Sequence, residues 1–91
     1  MREAYLDIET TGLDPVCCRI TVVGIYLFGG GQGEVVQLVG DKITPDSLLA
    51  CLDGVDTLHT YNGSRFDLPF IDAHHDVDLA GEFKHIDLMF D

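Results

Sequence analysis

The residues from Ala4 to Glu9 alternate between apolar and polar side chains, and this alternation constrains the fold more than any other feature. Ala4, Leu6 and Ile8 point to one side of an extended chain, and the residues between them point to the other. A strand of this kind is stable only when its apolar face is covered. The chain must therefore build a sheet with a core on one side.

The rest of the sequence supplies the other elements of one sheet. β-Branched and aromatic runs predict further strands, and Thr44-Pro45 and Gly54 mark the start and the end of a short helix with Leu48, Leu49 and Leu52 as its apolar stripe. The expected strands after the first are Arg19–Phe28, Glu34–Val39, Val55–Thr60 and Phe83–Leu88, with a hairpin turn at Gly29–Gly33 and a second helix at Phe66–His74. This order predicts an α/β or α+β fold with one mixed sheet.

Length and charge narrow the functional classes. The 91 residues make one small domain at most, and no apolar run approaches the roughly 20 residues of a membrane span, so we expect a soluble, cytoplasmic protein with no membrane partner. The 16 acidic and 5 basic residues give a net charge of -11, which argues against non-specific nucleic-acid binding. If the chain handles nucleic acid, bound divalent cations or further sequence must supply positive charge. The three cysteines, with two adjacent, fit reduced thiols.

Asp7 and Glu9 form the first candidate site. Residues two apart in a strand point the same way, about 6 to 7 Å apart, so the two carboxylates share one face. Two such charges repel each other unless a cation lies between them, and Mg²⁺ and Mn²⁺ prefer oxygen ligands. The alternative, which spacing leaves open, is a polar strand face that simply contacts water.

The segment Tyr61 to Ile71 is the second candidate site. It follows an apolar strand and places Asp67 in the first turn of a helix, where the helix dipole favours a carboxylate. Phe66 and Phe70 are expected to anchor this helix on the sheet. The alternative is a capping aspartate after a solvated Asn-Gly turn.

Together the two segments resemble a known family. Asp7-Ile8-Glu9-Thr10-Thr11-Gly12-Leu13 is similar to the first motif of the DEDD superfamily of 3′ to 5′ exonucleases, which have the ribonuclease H-like fold, and the stretch from Tyr61 to Phe70 resembles the second motif. The spacing is closer to proofreading domains of family B polymerases and to uncharacterised bacterial ribonuclease H-like exonucleases. The resemblance implies a mixed five-stranded sheet with flanking helices.

The resemblance also implies roles for single residues. Asp7, Glu9 and Asp67 would be catalytic metal ligands for two Mg²⁺ or Mn²⁺ ions, and Thr10, Leu13, Asn62 and Phe66 would contact the substrate, the 3′ end of a single-stranded DNA or RNA. A third motif with a Tyr or His and a fourth carboxylate is expected beyond Asp91, so residues 1–91 would be the amino-terminal, incomplete portion of the domain. The pair His74 and Asp78 has the motif's spacing but comes too early in the chain.

Other chemistries are disfavoured. The glycines from Gly29 to Gly33 lack the Lys-Ser/Thr of a phosphate-binding loop, and the adjacent pairs Cys17-Cys18 and His74-His75 lack zinc spacing. Two alternatives to an exonuclease stay open: a catalytically silent nucleic-acid-binding or scaffolding module of the same fold, and a small acidic partner-binding protein. His85 and Asp87 are expected to be structural or to border the site. The sequence does not predict substrate sugar or oligomeric state.

Overall fold

The computed structural model describes residues 2–29, 31 and 33–90. The strands are β1 (Glu3–Thr10), β2 (Ile20–Phe28), β3 (Glu34–Val39), β4 (Thr57–Thr60) and β5 (Lys84–Asp87), and the helices are α1 (Pro45–Cys51), α2 (Asp67–His75) and α3 (Leu79–Glu82). One five-stranded sheet has the order β3-β2-β1-β4-β5. The prediction of an α/β fold with a mixed five-stranded sheet is confirmed.

The sheet has an antiparallel half and a parallel half that meet at β1. β2 and β3 continue β1 as an antiparallel meander, whereas β4 and β5 run parallel to β1 and are reached through helices. The predicted turn between β2 and β3 includes Gly30 and Gln32, which lie outside the described residues. β1 is therefore the central strand, and whatever it carries lies in the middle of the sheet.

The helices bury one face of the sheet. Ala4, Leu6 and Ile8 of β1 are all buried, as their spacing predicted. They share a core with side chains from β2 and from the three helices, among them Ile25, Leu48, Leu52, Phe70, Ile71 and Leu79. No helix within the described residues is long and apolar enough to span a bilayer.

The opposite face of the sheet is partly open. Tyr26 lies opposite Tyr5 on β1 and Val35 on β3, so these side chains share that face, and Tyr26 and Val35 are exposed. By the pleat of β1, Asp7 and Glu9 lie on this same open face. The first candidate site is therefore accessible, with the hydrophobic core directly beneath it.

The helix starts follow from local chemistry. Thr44 and Ser47 form a capping box, with Ser47 N to Thr44 Oγ1 at 3.0 Å and Thr44 N to Ser47 Oγ at 2.9 Å, and Pro45 begins α1. Leu48 and Leu52 are buried, but Leu49 is 40% exposed. The predicted stripe was wrong at Leu49 because α1 has only two turns, and a residue one step along the helix is rotated away from the core.

The end of the chain contains one helix that the sequence did not predict. The four-residue helix α3 begins after Asp78, whose carboxylate accepts a hydrogen bond from Gly81 N at 3.2 Å. A helix of a single turn has no periodic pattern to detect. Its Leu79 is fully buried, so α3 fills the space between α2 and β5.

Candidate metal and nucleic-acid site

The two carboxylates of β1 lie where the strand is most open. Asp7 and Glu9 are both exposed, and their neighbours across the antiparallel pairing are Gly24 and Val22 of β2. Because Gly24 has no side chain, nothing on β2 covers the Asp7 carboxylate from that direction. The strand irregularity between Glu9 and Thr10 comes directly after the pair. The carboxylates of Asp7 and Glu9 are therefore accessible to a cation or a substrate that approaches the open face.

Asp67 joins α2 to the central strand. It is the first residue of α2, its side chain is 4% exposed, and its Oδ2 accepts a hydrogen bond from the backbone N of Ile8 at 3.0 Å. The parallel pairing of β1 with β4 covers only Glu3 to Tyr5, so the Ile8 amide lies beyond that ladder. The Asp67 carboxylate replaces the missing strand and is placed beside the backbone between Asp7 and Glu9.

The electrostatics of Asp67 are unusual for a carboxylate. Burial and the nearby charge of Asp7 raise its pKa from 3.8 to about 6, although the N–H groups of Ile8 and of Asp67 itself act in the opposite direction. Burial, and then the charges of Asp7 and Asp67, also raise the pKa of Tyr5. The charge of Asp7 contributes to both shifts, so the Asp7 and Asp67 carboxylates repel each other when both are ionised. A cation between them would remove that repulsion.

The described residues contain no group of three His, Cys, Asp or Glu side chains close enough together to hold a metal ion. Asp7 and Asp67 interact, whereas convergence of Glu9 on the same point is not seen, so the three-carboxylate ligand set stays a prediction. The chemistry of the donors fits a hard cation, because all three groups offer only oxygen atoms.

The loop before α2 holds two of the predicted substrate contacts. Asn62 has a left-handed backbone (φ 59°), and its Oδ1 is buried without a hydrogen-bond partner. Phe66 directly precedes Asp67 and packs edge-on against Phe70 of α2, with ring centroids 5.5 Å apart. Both residues lie in the loop that leads to α2, Asn62 five residues before Asp67 and Phe66 directly before it. The unpaired Asn62 amide oxygen is enclosed within the loop, so its assignment as a substrate contact stays a prediction.

The other two predicted contacts lie on the loop after β1. Thr10 Oγ1 donates to the carbonyl of Gly12 at 2.6 Å, so the hydroxyl proton is already used within the loop. Leu13 is 83% exposed. An apolar side chain this exposed beside an acidic strand is available to contact a planar base, and its assignment stays a prediction.

Sequence reasoning missed how much Asp87 does. The last residue of β5 is buried, and its Oδ1 accepts from the backbone N of Asn62 at 2.7 Å and of Met89 at 3.1 Å, while its Oδ2 accepts from Ser64 N at 3.0 Å and Ser64 Oγ at 2.5 Å. Burial raises the pKa of this carboxyl, but the Ser64, Met89 and Asn62 donors outweigh it and lower the pKa to about 2. In the sequence, Asp87 stood out only as an aspartate on the expected strand Phe83–Leu88, and nothing linked it to the Asn-Gly-Ser turn at residues 62–64.

The remaining polar candidates have structural partners. His74 Nε2 donates to the carbonyl of Pro15 at 2.7 Å and its ring stacks on Phe70, while Asp78 caps α3. His59 contacts Glu3 at 2.8 Å, and His85 contacts Thr60 Oγ1 at 2.7 Å. The three cysteines are free thiols. The pair His74 and Asp78 therefore already serves the fold.

Comparison with known proteins gives a consistent relationship. The family model described as the RNase H superfamily matches residues 4–91. No curated protein matches the chain in sequence. Among solved structures, NrnC of Brucella melitensis with bound Mg²⁺ is 29% identical, with a TM-score of 0.57, over 84% of this chain and 37% of that one.

Two further structures share the fold at lower identity. The family B DNA polymerase of Pyrobaculum calidifontis is 16% identical, with a TM-score of 0.64, over 97% of this chain and 15% of that one. The metal-free E. coli ExoI–ssDNA complex is 19% identical, with a TM-score of 0.61, over 97% of this chain and 28% of that one. The chain thus spans well under half the length of the structures it matches.

Proposed function

Because the chain belongs to the RNase H superfamily, we propose that it provides the first two motifs of a metal-dependent nuclease, a 3′ to 5′ exonuclease acting on the ends of single-stranded DNA or RNA. The observation that carries the proposal is the placement of Asp67. A buried carboxylate from α2 is bonded to the backbone of β1 and repels Asp7, as a pair of metal ligands does before the metal binds. The structure with bound Mg²⁺ among the similar proteins supports the same reading.

In this proposal Asp7, Glu9 and Asp67 hold Mg²⁺ or Mn²⁺, two ions in the complete protein. When bound there, the ions would activate the attacking water and stabilise the leaving oxygen of the terminal phosphodiester. The chain's own contribution is to fix the ligands. Asp67 is held by the Ile8 amide, and Asp7 extends from the central strand of the sheet.

The strong negative charge of the chain opposes the binding of a nucleic acid, which is also negatively charged. At -11 the protein repels phosphates, so cations at the carboxylates would have to reverse the local field before a phosphodiester could approach. Within the proposal, Leu13 and Phe66 offer apolar surface to the terminal base, and Thr10 and Asn62 offer polar atoms.

One observation favours a second candidate function. The described residues do not bring three carboxylates together, which is what a catalytically silent nucleic-acid-binding or scaffolding module would show. In that case no cation would bind between the Asp7 and Asp67 carboxylates, and their repulsion would lower the stability of the fold without a functional gain.

The first test is a calorimetric titration of the metal-free chain with Mn²⁺. We expect saturable binding in the wild type and none in Asp7→Asn. Asp53→Asn is the matched control, because it removes one exposed negative charge outside the candidate site and should leave binding unchanged.

Two results would contradict the proposal. No Mn²⁺ binding by a folded wild-type chain, verified by circular dichroism, would favour the silent module. Equal loss of binding in Asp7→Asn and Asp53→Asn would show that Mn²⁺ responds to net charge and not to a site.

A further inference from the structure

The loop from Tyr61 to Phe66 connects β4 to Asp67, and it is held from three sides. Beneath it, Gly63 lies so close to the Thr60 side chain that any Cβ at this position would overlap it. Beside it, the Asp87 carboxylate accepts hydrogen bonds from the loop at Asn62 and Ser64. Ahead of it, α2 begins.

The start of α2 has no cap of its own. Phe66 occupies the N-cap position and makes no side-chain capping bond. Instead, N–H groups on both sides of Asp67 donate to loop carbonyls: that of the N-cap Phe66 to Asn62 O at 3.1 Å, and that of Leu68 in the first turn to Gly63 O at 2.9 Å. The position of Asp67, between these two donors, is therefore set by the geometry of the loop.

The loop geometry in turn depends on Asp87. Asn62 has a left-handed backbone, which asparagine adopts more readily than most L-residues, so the turn conformation is accessible and the hydrogen bonds to Asp87 select it. The N–H of Asn62 donates to Asp87 Oδ1 at 2.7 Å, and the carbonyl of the same residue accepts a hydrogen bond from the Phe66 N–H. Hydrogen-bonded peptide units thus link β5 to the first turn of α2.

We infer that Asp87 is a positioning residue for Asp67: its carboxylate fixes the Asn62–Ser64 turn and thereby aims the Asp67 carboxylate at the Ile8 amide and at Asp7. The Asp87 charge also repels the Asp67 charge directly, as the smallest contribution to its raised pKa, but Asp87 positions Asp67 through the loop and is not assigned to the metal. The inference rests on the proposed function for its consequence in metal binding, but its geometric part stands on the hydrogen bonds alone.

The test uses Asp87→Asn in the metal-free chain at a fixed pH of about 7.5, above the folded-state pKa of Asp67 and so with that group ionised. The amide replaces an acceptor by a donor that faces the N–H groups of the loop. We expect the backbone amide resonance of Ile8 to move, because the Ile8 N–H donates to Asp67 and Asp67 is displaced. We also expect Mn²⁺ affinity to fall about 10- to 100-fold, the range typical of groups that orient metal ligands.

Thr44→Ala is the matched control. It removes a helix N-cap on α1, which destabilises the chain without touching the loop. In this control the Ile8 resonance and the Mn²⁺ affinity should stay at wild-type values. An Ile8 resonance that shifts equally in both variants would show a general response to lower stability and would overturn the inference.

A second variant covers the case in which Asp87→Asn does not fold. Ser64→Ala removes only the hydroxyl donor to Asp87 Oδ2 and should produce a smaller Ile8 shift in the same direction. An Ile8 resonance that stays at its wild-type position in a folded Asp87→Asn, or in Ser64→Ala when the first variant is unfolded, overturns the inference. Absence of Mn²⁺ binding in the wild type instead removes the proposed function and leaves the Ile8 comparison intact.

Discussion

Asp67 and Asp87 are buried to almost the same extent, 4% and 5% exposed, yet their carboxyl groups have opposite properties. The pKa of Asp67 is raised to about 6, and that of Asp87 is lowered to about 2. The difference lies in the donors. Among the described residues, Asp87 accepts hydrogen bonds from the backbone N–H groups of Asn62, Ser64 and Met89 and from the Ser64 hydroxyl. Asp67 has the Ile8 N–H and its own backbone N–H against a like charge at Asp7.

The comparison separates two uses of a buried charge. A carboxylate surrounded by N–H and O–H donors is stable as it is, and it stabilises the segments that supply them. A carboxylate with few donors and a negative neighbour is costly until a cation arrives. By this criterion Asp87 has a structural role, and Asp67 is the better candidate for a metal ligand.

The largest expected difference between the two aspartates is in catalysis. In any nuclease that contains this chain, Asp67→Asn or Asp7→Asn should lower turnover by several orders of magnitude, because each removes a proposed metal ligand. Asp87→Asn should lower it less, since it displaces a ligand without removing one. Hydrolysis of a single-stranded oligonucleotide labelled at its 5′ end measures all three, and unchanged turnover in either ligand variant would remove that residue from the site.

Adding Mn²⁺ should stabilise the wild-type chain and leave the stability of Asp67→Asn unchanged. At a Mn²⁺ concentration about 100 times its dissociation constant, binding stabilises the native state by about 2.7 kcal/mol. The wild-type chain should gain this increment in urea unfolding and Asp67→Asn should gain none. If both gain equally, Mn²⁺ binds elsewhere and the contrast between the two aspartates has nothing to do with metal.

Gly63→Ala tests whether the close approach of Gly63 to Thr60 constrains the loop between the two aspartates. The new Cβ would overlap the Thr60 side chain, so the loop has to move, at a cost of about 1–3 kcal/mol in the free energy of unfolding. Gly24→Ala is the control, because a Cβ there meets only ordinary contact with the Asp7 carbonyl at 3.8 Å. Comparable losses in both variants, measured by chemical denaturation, would mean that the close approach at Gly63 is relieved without cost.

Removing the Asp67 charge should stabilise the metal-free chain. Between pH 3.8 and about 6 the native state holds a proton that the unfolded state has lost, so the free energy of unfolding falls as pH rises through this range. Above pH 6 the cost is fully present, and Asp67→Asn should recover about 1–2 kcal/mol after allowance for solvent screening. Urea unfolding in EDTA at pH 4 and pH 7.5 measures it, and a variant that is less stable than wild type at pH 7.5 contradicts the sign.

Asp87 should produce the opposite and smaller pH effect within the accessible range. Its folded-state pKa is depressed, so its contribution is complete above pH 3.8 and is lost as pH falls towards 2. Asp87→Asn should therefore lower the thermal midpoint at pH 7 and lose its difference from wild type near pH 2. A difference that persists in acid would assign the effect to the shape of the side chain and not to its charge.

Much of this arrangement could be predicted from local sequence. The alternation in β1 correctly placed Ala4, Leu6 and Ile8 in the core, and the same pleat places Asp7 and Glu9 on the open face. The helix predicted from Phe66 begins one residue later, at Asp67, and Pro69 falls in its first turn, where proline is tolerated. These features depend on neighbours within a few residues.

The contacts that define the candidate site could not be predicted in the same way. The bond from Ile8 to Asp67 joins residues 59 positions apart, and the bond from Asn62 to Asp87 joins residues 25 positions apart. Neither changes any periodicity in the sequence. The role of Asp87 became visible only when the parallel strands were placed side by side.

The two halves of the sheet also differ in the sequence separation of the strands that they pair. The antiparallel meander joins segments that follow one another, whereas the first parallel pair, Glu3 with Thr57, closes a loop of more than fifty residues. Closing a longer loop costs more chain entropy, so contacts of this kind slow folding. We therefore expect the meander, which already carries Asp7 and Glu9, to form early in refolding, and the docking of Asp67 to be among the last events. Competence to bind a metal would then appear with the final step of folding, and no early intermediate would have it.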